Sequence, residues 1–305
     1  FYHPSNSYIF LYGDADLNKE LQFINDNYLS NYEKSDDVAE IPIQNPFPEM
    51  KVVETSYAVP EGSPVKDNTY LSLSFVTNKN TDRTTSMAFD IIANALVNHE
   101  SAPVRLALQE AGIGREVMGW FTEMQQNVFT IVAQNANPQD RDRFREIVFS
   151  TMKKVVADGF DKTTIEGILN RTEFNLKEGD TSQKGIMYLF KNQQPWIYSG
   201  DPFLGLEFEK PLSEVKKATE SRLLETLVDK YLVNNPHALL MTLKPQPGLQ
   251  TARDAQTEKE LAAFGFLRAI RDICEQRRRL AIGASRRRAR RASSGSCTAV
   301  DACFI

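Results

Sequence analysis

The residues best suited to metal-assisted or acid–base chemistry in this chain are its three histidines, His3, His99 and His237. No second histidine lies three or four positions from any of them, so the chain carries neither the HExxH nor the HxxEH order of a helical zinc pair. His99 and Glu100 are adjacent and isolated, which is typical of a polar pair at a helix end. Because residues 1–273 contain no cysteine, we expect no structural zinc site either.

Other catalytic motifs are also missing from the sequence. There is no GxSxG elbow and no glycine-rich phosphate loop, and the Gly-Ile-Gly stretch at 112–114 is too short to be a dinucleotide fingerprint. Asp180 and Asp201 are interpreted as loop carboxylates, and Trp120 and Trp196 as packed side chains. The residues alone therefore predict no catalytic, cofactor-binding or metal-binding site.

The composition is that of an ordinary globular protein of one large or two medium domains. Of the 305 residues, 41% are hydrophobic and 25% charged, and no run of eighteen apolar residues predicts a membrane span. The three cysteines, Cys274, Cys297 and Cys303, all lie near the end of the chain. This excludes a disulfide framework for the rest of it and suits a reducing compartment.

Charge is distributed unevenly along the chain. Residues 253–305 carry twelve basic and six acidic side chains, a balance of +6, so the other 252 residues must sum to −10 for the net charge to be −4. Phosphate binding needs a basic face, so an acidic body argues against nucleic acid as its main partner. It suits a protein that handles basic peptides.

The end of the chain is unusually rich in arginine. Residues 268–291 hold ten arginines, whereas residues 1–252 hold eight. This stretch could be a basic arm for nucleic acid or anionic membrane, a solvated disordered tail, or the product of a shifted GC-rich reading frame. We favour the shifted frame and expect no fixed structure after about residue 265.

Hydrophobic periodicity predicts both strands and helices along the chain. The predicted strands lie at 8–12, 51–60, 69–76, 117–121, 128–133 and 238–243. The predicted helices cover 16–32, 82–98, 103–110, 135–158 and 219–231, with mostly helical structure over 161–200 and a Pro-rich linker at 33–50. From residue 69 the strands do not alternate strictly with helices. The order therefore favours an α+β fold, an antiparallel or mixed sheet with helices packed on one face, followed by a disordered tail.

The opening strand and the last strand share a pattern. Pro4 and Pro236, 232 residues apart, each lie in a polar patch containing Asn and His and precede an apolar run that ends at a turn. This similarity is either a repeated module ending or a coincidence, since Pro before a strand is common.

Three stretches resemble one known family. HESAPVRLALQEAGIGREVMGWF from His99, the opening FYHPSNSYIFLYGD, and DPFLGLEFEKPLSEVKK from Asp201 are similar to parts of the inverted-motif (HxxEH) zinc metallopeptidases of the pitrilysin and insulin-degrading group, presequence-protease branch. The resemblance covers roughly residues 1–262. It implies that the chain contains the end of a first, catalytic module and the whole of a second, non-catalytic one.

The resemblance also implies domain boundaries. Residues 1–34 would be the last strand and helix of a truncated first module, 35–50 a linker, and 51–247 the second module. Residues 248–265 would begin a helical linker between two halves of the parent protein. The aberrant arginine-rich tail would occupy 266–305.

The mechanism implied for the parent is zinc-dependent hydrolysis of unstructured peptides. The zinc ligands and general base of the family would lie upstream of Phe1, so no catalytic, cofactor-binding or metal-binding residue is carried over, and this chain alone is expected to be inactive and to bind no zinc. Its second module would help wall the peptide chamber. The expected partners are the catalytic module, the downstream half and, through the parent, peptide substrates, with no nucleic acid and no membrane. Relatives occur in bacteria and in organelle matrices, so the resemblance leaves the compartment open between bacterial cytoplasm and an organelle matrix.

Two other interpretations stay open at this point. The chain could be a stand-alone inactive partner or peptide-binding subunit of such a peptidase. It could also be an adaptor that binds nucleic acid or membrane through its arginine-rich tail.

Overall fold

A computed structural model describes residues 3–35, 41–178 and 182–263 of the chain. These residues form two units, one made of residues 3–57 and 64–245 and the other of 58–63 and 246–263. The expectation of a disordered tail over 266–305, and the assignment of Asp180 to a loop, lie outside the described residues.

The larger unit is built on a five-stranded sheet. Its strands are β1 (Lys51–Val59), β2 (Thr69–Lys79), β3 (Glu116–Thr122), β4 (Gln126–Ala136) and β5 (Ala238–Pro247). Their order across the sheet is β1-β5-β2-β4-β3, and β2 pairs antiparallel with both β4 and β5, as β3 does with β4. The predicted hairpin is thus β3–β4, and the predicted strand at 51–60 lies at an edge.

Nine α-helices occur among the described residues. They are α1 (Leu17–Asn27), α2 (Arg83–Ala93), α3 (Pro103–Glu110), α4 (Arg141–Asp158), α5 (Lys162–Glu178), α6 (Lys184–Ser199), α7 (Glu209–Thr219), α8 (Leu223–Val228) and α9 (Leu249–Ala263). Short π-helical turns extend α2 and α8 at Asn94–Asn98 and Asp229–Val233. In the part of the chain that the structure describes, no helix is long and apolar enough to cross a bilayer.

The core lies between the sheet and the helices on one of its faces. Leu71, Leu73 and Phe75 alternate along β2 and are fully buried, as are Phe129 and Ile131 on the neighbouring β4. Apolar residues of α2, α3, α4 and α8 complete this cluster. The predicted α+β class, with helices packed against one sheet face, is confirmed.

Helix α2 shows why the local predictions succeed. The Asp82 carboxylate accepts a hydrogen bond from the Thr85 backbone N–H at 3.1 Å, which satisfies one of the free donors of the first turn. Phe89, Ile92 and Leu96 recur at helical spacing and are fully buried. Capping and periodicity agree here with the tertiary packing.

The turn at 112–114 has a steric role. Gly114 has φ +73°, and a Cβ added there would lie 2.8 Å from the Gln134 carbonyl oxygen. The second glycine therefore lets the chain pass close to β4 as it enters β3.

The prediction of a buried strand at residues 8–12 is wrong. These residues belong to no strand, and Tyr8 and Tyr12 are about half exposed. A strand needs a partner for its backbone groups, and no described strand lies beside this segment. Instead the two tyrosine rings pack edge-on against α6, with ring centroids 4.9 Å from Trp196 and 5.7 Å from Tyr188.

Two boundaries near the end of the larger unit also differ from prediction. The helix predicted over 219–231 begins only at Leu223, as α8. Arg222 has a left-handed backbone (φ +61°), and this residue separates α8 from α7. Helix α7 was not predicted. Strand β5 continues past the predicted stop to Pro247. Its pairing with β2 ends at Leu243, so Pro245 removes no hydrogen bond from that ladder.

Candidate functional site

The face of the sheet opposite the core is the first candidate surface. The strand registers align eight side chains in two rows, and we call them the second sheet face. They are Met118, Val132, Ser72 and Met241 in one row, and Trp120, Thr130, Ser74 and Leu239 in the other. Their orientation follows from the alternation of strand side chains, since Phe121, the neighbour of Trp120, stacks on Phe89 of α2 with a centroid distance of 5.3 Å.

The second sheet face is apolar and hydroxylic, and neither row contains a charged residue. At its centre the Ser74 and Thr130 hydroxyl oxygens are 3.1 Å apart and share a hydrogen bond. At its edge, on β3, Trp120 is 43% exposed. The prediction that Trp120 is packed is therefore wrong, whereas Trp196 packs against Tyr8. Val132, Ser72 and Thr130, in the middle of the rows, are buried, so the exposed edge around Trp120 is the part that can contact a polypeptide. The rows hold serine and threonine hydroxyls but no acid or base to activate them.

A second candidate surface lies where the opening segment meets α6. We call it the aromatic surface and define it as Tyr8, Tyr12, Ile186, Met187 and Phe190, each half exposed or more. Tyr12 lies directly over Gly185, where any Cβ would clash with its ring. Beside them a cleft of about 700 Å³ opens between Tyr12, Ile186 and Phe190. A contiguous exposed apolar surface of this kind is typical of a protein contact.

The three histidines lie in three separate environments. His3 accepts a hydrogen bond from the Ser5 backbone N–H at 3.2 Å, and His99 Nδ1 lies 2.9 Å from the Ser101 hydroxyl oxygen. His237 is 5% exposed and packs edge-on against Phe47. Burial, with the nearby Lys51, lowers the pKa of His237.

The residues that the structure describes provide no set of ligands for a zinc ion. Among the residues described by the structure, no three or more His, Cys, Asp or Glu side chains are grouped closely enough to hold a metal ion. Asp201 is engaged locally, since its carboxylate accepts a hydrogen bond from the Phe203 backbone N–H at 2.9 Å. The residues described here do not fit the zinc site of the family.

Sequence reasoning missed one cluster of charged groups. Arg83 on α2 forms a salt bridge of 2.7 Å with Glu123, the residue that follows β3. Asp90 on α2 and Lys191 on α6 lie close enough to interact electrostatically with this pair. Desolvation by the surrounding protein, and then Glu123, raise the pKa of Asp90 to about 7. Burial, and then Arg83, lower the pKa of Lys191. No local signal could reveal the cluster, because its members come from three distant segments.

Comparison with known proteins gives the family. Residues 1–172, more than half of the chain, match the model of the peptidase M16 inactive domain. The chain is 40% identical over 264 residues to protein HypA of Clostridium perfringens, covering 86% of this chain and 27% of that protein. It is 26% identical over 286 residues to presequence protease 1, chloroplastic/mitochondrial, of Arabidopsis thaliana, covering 90% of this chain and 26% of that protein.

Solved structures share the fold at low sequence identity. The peptidase M16 inactive domain from Pseudomonas fluorescens superimposes with a TM-score of 0.55 at 15% identity, over 75% of this chain and 51% of that one. The ferredoxin protease FusC, solved in complex with Arabidopsis ferredoxin, gives a TM-score of 0.54 at 11% identity, over 75% of this chain and 24% of that one.

The chain spans about a quarter of the length of the curated relatives described above. The resemblance read from the sequence is confirmed by the family model and by these relatives. This chain belongs to the M16 peptidases, the pitrilysin group, and contains their inactive domain.

Proposed function

We propose that this chain is the non-catalytic portion of a presequence-protease-like zinc metalloendopeptidase that degrades unstructured peptides. The observation that carries the proposal is the match of residues 1–172 to the inactive domain of the family, which includes the first part of the second module as well as the segment before it. In this proposal residues 1–34 end the catalytic module, 35–50 are a linker and 51–247 form the second module. Helix α9 begins the linker between the two halves of the parent.

In the parent, the second sheet face forms part of the wall of the peptide chamber. Its hydroxyl and apolar side chains suit contact with a polypeptide of variable sequence, because they neither demand nor repel a particular charge. Trp120 at the edge offers a large contact area, which commonly contributes strongly to binding.

The aromatic surface contacts the rest of the catalytic module, beyond residues 1–34. It is formed by the opening segment, which this proposal assigns to that module, and by α6 of the second module. Burying half-exposed tyrosine, isoleucine and phenylalanine side chains removes apolar area from water, at roughly 25 cal/mol for each Å². The two modules would thus be held together mainly by apolar contact.

The first experiment tests activity. The purified chain is incubated with zinc and an internally quenched peptide, and we expect no turnover that a chelator abolishes. Zinc-dependent turnover by the chain alone would contradict the proposal. If turnover appears only when a separately encoded active subunit is added, the chain is instead a stand-alone inactive partner.

The second experiment tests the wall. In the full-length parent, Trp120→Ser should raise KM for an unstructured peptide by about tenfold or less, with zinc content and kcat unchanged. The matched control is Phe174→Ser, an exposed aromatic residue on α5, which should leave KM as it is. Equal effects of the two variants on KM would contradict the assignment of the second sheet face to the chamber wall.

A further inference from the structure

A separate cleft lies on the helical side of the larger unit. It has a volume of about 480 Å³ and opens between α3, the end of α4 and the start of α5. This volume is within the range of ordinary ligand sites. None of its lining residues belongs to the second sheet face or to the aromatic surface.

The floor of the cleft is apolar. Val155, Phe160 and Ile165 line it, and Val155 and Ile165 are almost fully buried. On its α3 wall Leu106 is 40% exposed. An exposed leucine beside an apolar floor leaves room for one large apolar side chain from a ligand.

The rim of the cleft is mainly acidic. Glu110, Asp158 and Asp161 line it together with a single cation, Lys154. Asp161 accepts hydrogen bonds from the Thr164 backbone N–H and hydroxyl, both at 2.7 Å, and these bonds lower its pKa and keep it ionised. The rim therefore favours a cationic ligand.

Arg222, just before α8, and Glu225 of α8 hold the chain between α4 and α5 beside the cleft. The Arg222 guanidinium donates hydrogen bonds to the carbonyl oxygens of Val156 at 2.8 Å and Ala157 at 3.2 Å, at the end of α4. Glu225 accepts one from the Phe160 backbone N–H at 3.0 Å. Since these bonds fix the α4–α5 connection, little ordering is needed when a ligand binds.

We propose that this cleft binds a peptide segment in which a large apolar side chain is flanked by Lys or Arg. The apolar side chain packs on Leu106, Val155 and Ile165, and the flanking cations face Glu110 and Asp158. The net charge of −10 over residues 1–252 attracts such peptides at long range. The inference rests on the proposed function only in taking the ligand to be a peptide, and it adds a docking site outside the chamber.

The test is fluorescence anisotropy with the whole purified chain and three labelled peptides. The first carries Leu flanked by Arg, the second Leu flanked by Glu, and the third Ser flanked by Arg. We expect binding of the first peptide to be at least about tenfold tighter than that of the other two at low salt, and to weaken as salt is added.

Variants then locate the binding. Leu106→Ser should weaken binding of the first peptide about tenfold through lost apolar burial. Asp158→Asn should weaken this binding about threefold and reduce its salt dependence. The matched controls, Leu21→Ser and Asp26→Asn on α1, should bind as the unmodified chain does. Circular dichroism verifies that each variant is folded.

Several results would overturn the inference. They are equal binding of all three peptides, unchanged binding by Leu106→Ser, or displacement of the peptide by an uncharged apolar molecule as effectively as by unlabelled peptide. Absence of binding by every peptide would do the same. None of these results bears on the zinc-dependent activity of the parent, so the two proposals fail separately.

Discussion

Helices α1 and α2 begin with the same kind of N-cap but lie in different surroundings. Each has eleven residues and an aspartate N-cap, with Asp16 bonding the Asn18 backbone N–H and Asp82 that of Thr85, both at 3.1 Å. Each also carries an apolar side. Yet α2 buries six residues, with Phe89 at 0% exposure, whereas α1 buries none and its Phe23 is 65% exposed.

The difference teaches that amphipathic sequence specifies a helix but not its burial. Helix α2 lies on the sheet, where β3 and β4 supply Phe121 and Phe129 as ring partners for Phe89. Helix α1 has no such layer among the described residues. In the proposed parent, the catalytic module would be that layer.

The largest expected effect comes from truncating one phenylalanine in each helix. Phe89→Ala should lower the free energy of unfolding by about 3–5 kcal/mol, because it leaves a cavity in the core. Phe23→Ala should change it by less than about 0.5 kcal/mol, since its ring is already in water. Urea denaturation measures both, and similar losses would mean that α1 is covered in solution.

A middle-sized effect is expected from removing each N-cap. Asp82→Ala should cost about 1 kcal/mol of global stability, because α2 cannot fray without exposing the core. Asp16→Ala should speed amide exchange in the first turn of α1 and leave the global midpoint unchanged. The Asp→Asn variants, which keep a capping oxygen, serve as controls. A global loss from Asp16→Ala would contradict the comparison.

A smaller effect is expected for His237, the histidine that follows Pro236. Burial lowers the pKa of His237 below its unfolded value of about 6.5. Its contribution to stability is therefore complete above that unfolded value and is lost as the pH falls through the lower, folded pKa. Between about pH 7.5 and 5, His237→Gln should flatten the decline in unfolding free energy relative to the unmodified chain.

The test compares variants because Asp90 acts in the opposite direction over the same range. Its raised pKa gives stability that is lost as the pH rises through about 7. Subtracting the His237→Gln curve from that of the unmodified chain isolates the histidine. A His237→Gln curve that declines as steeply as that of the unmodified chain would contradict this expectation.

Much of the fold could be predicted because its signals are local. The alternation over β2, the cap and periodicity of α2, and the Pro and Gly that bound α3 lie within a few residues of one another. Helix α7 was missed because Pro211 and its charged neighbours resemble a loop, although a Pro in the first turn is compatible with a helix.

The candidate surfaces were less predictable. The rows of the second sheet face join residues from four strands, and the aromatic surface joins segments more than 170 positions apart. The exposure of Trp120 depends on β3 being an edge strand. No local sequence pattern indicates these relations, so composition and spacing could not reveal them.

By itself the sequence determined most of the segments that become helices, α7 excepted, because a helix closes its hydrogen bonds within its own residues. It also excluded a helical zinc pair from this chain and carried the resemblance to the M16 peptidases. Tertiary structure alone decided which apolar runs are covered. Residues 8–12 and 238–243 share a Pro-led apolar pattern, but only the second run pairs with a neighbouring strand, because strand hydrogen bonds require a partner from elsewhere in the chain.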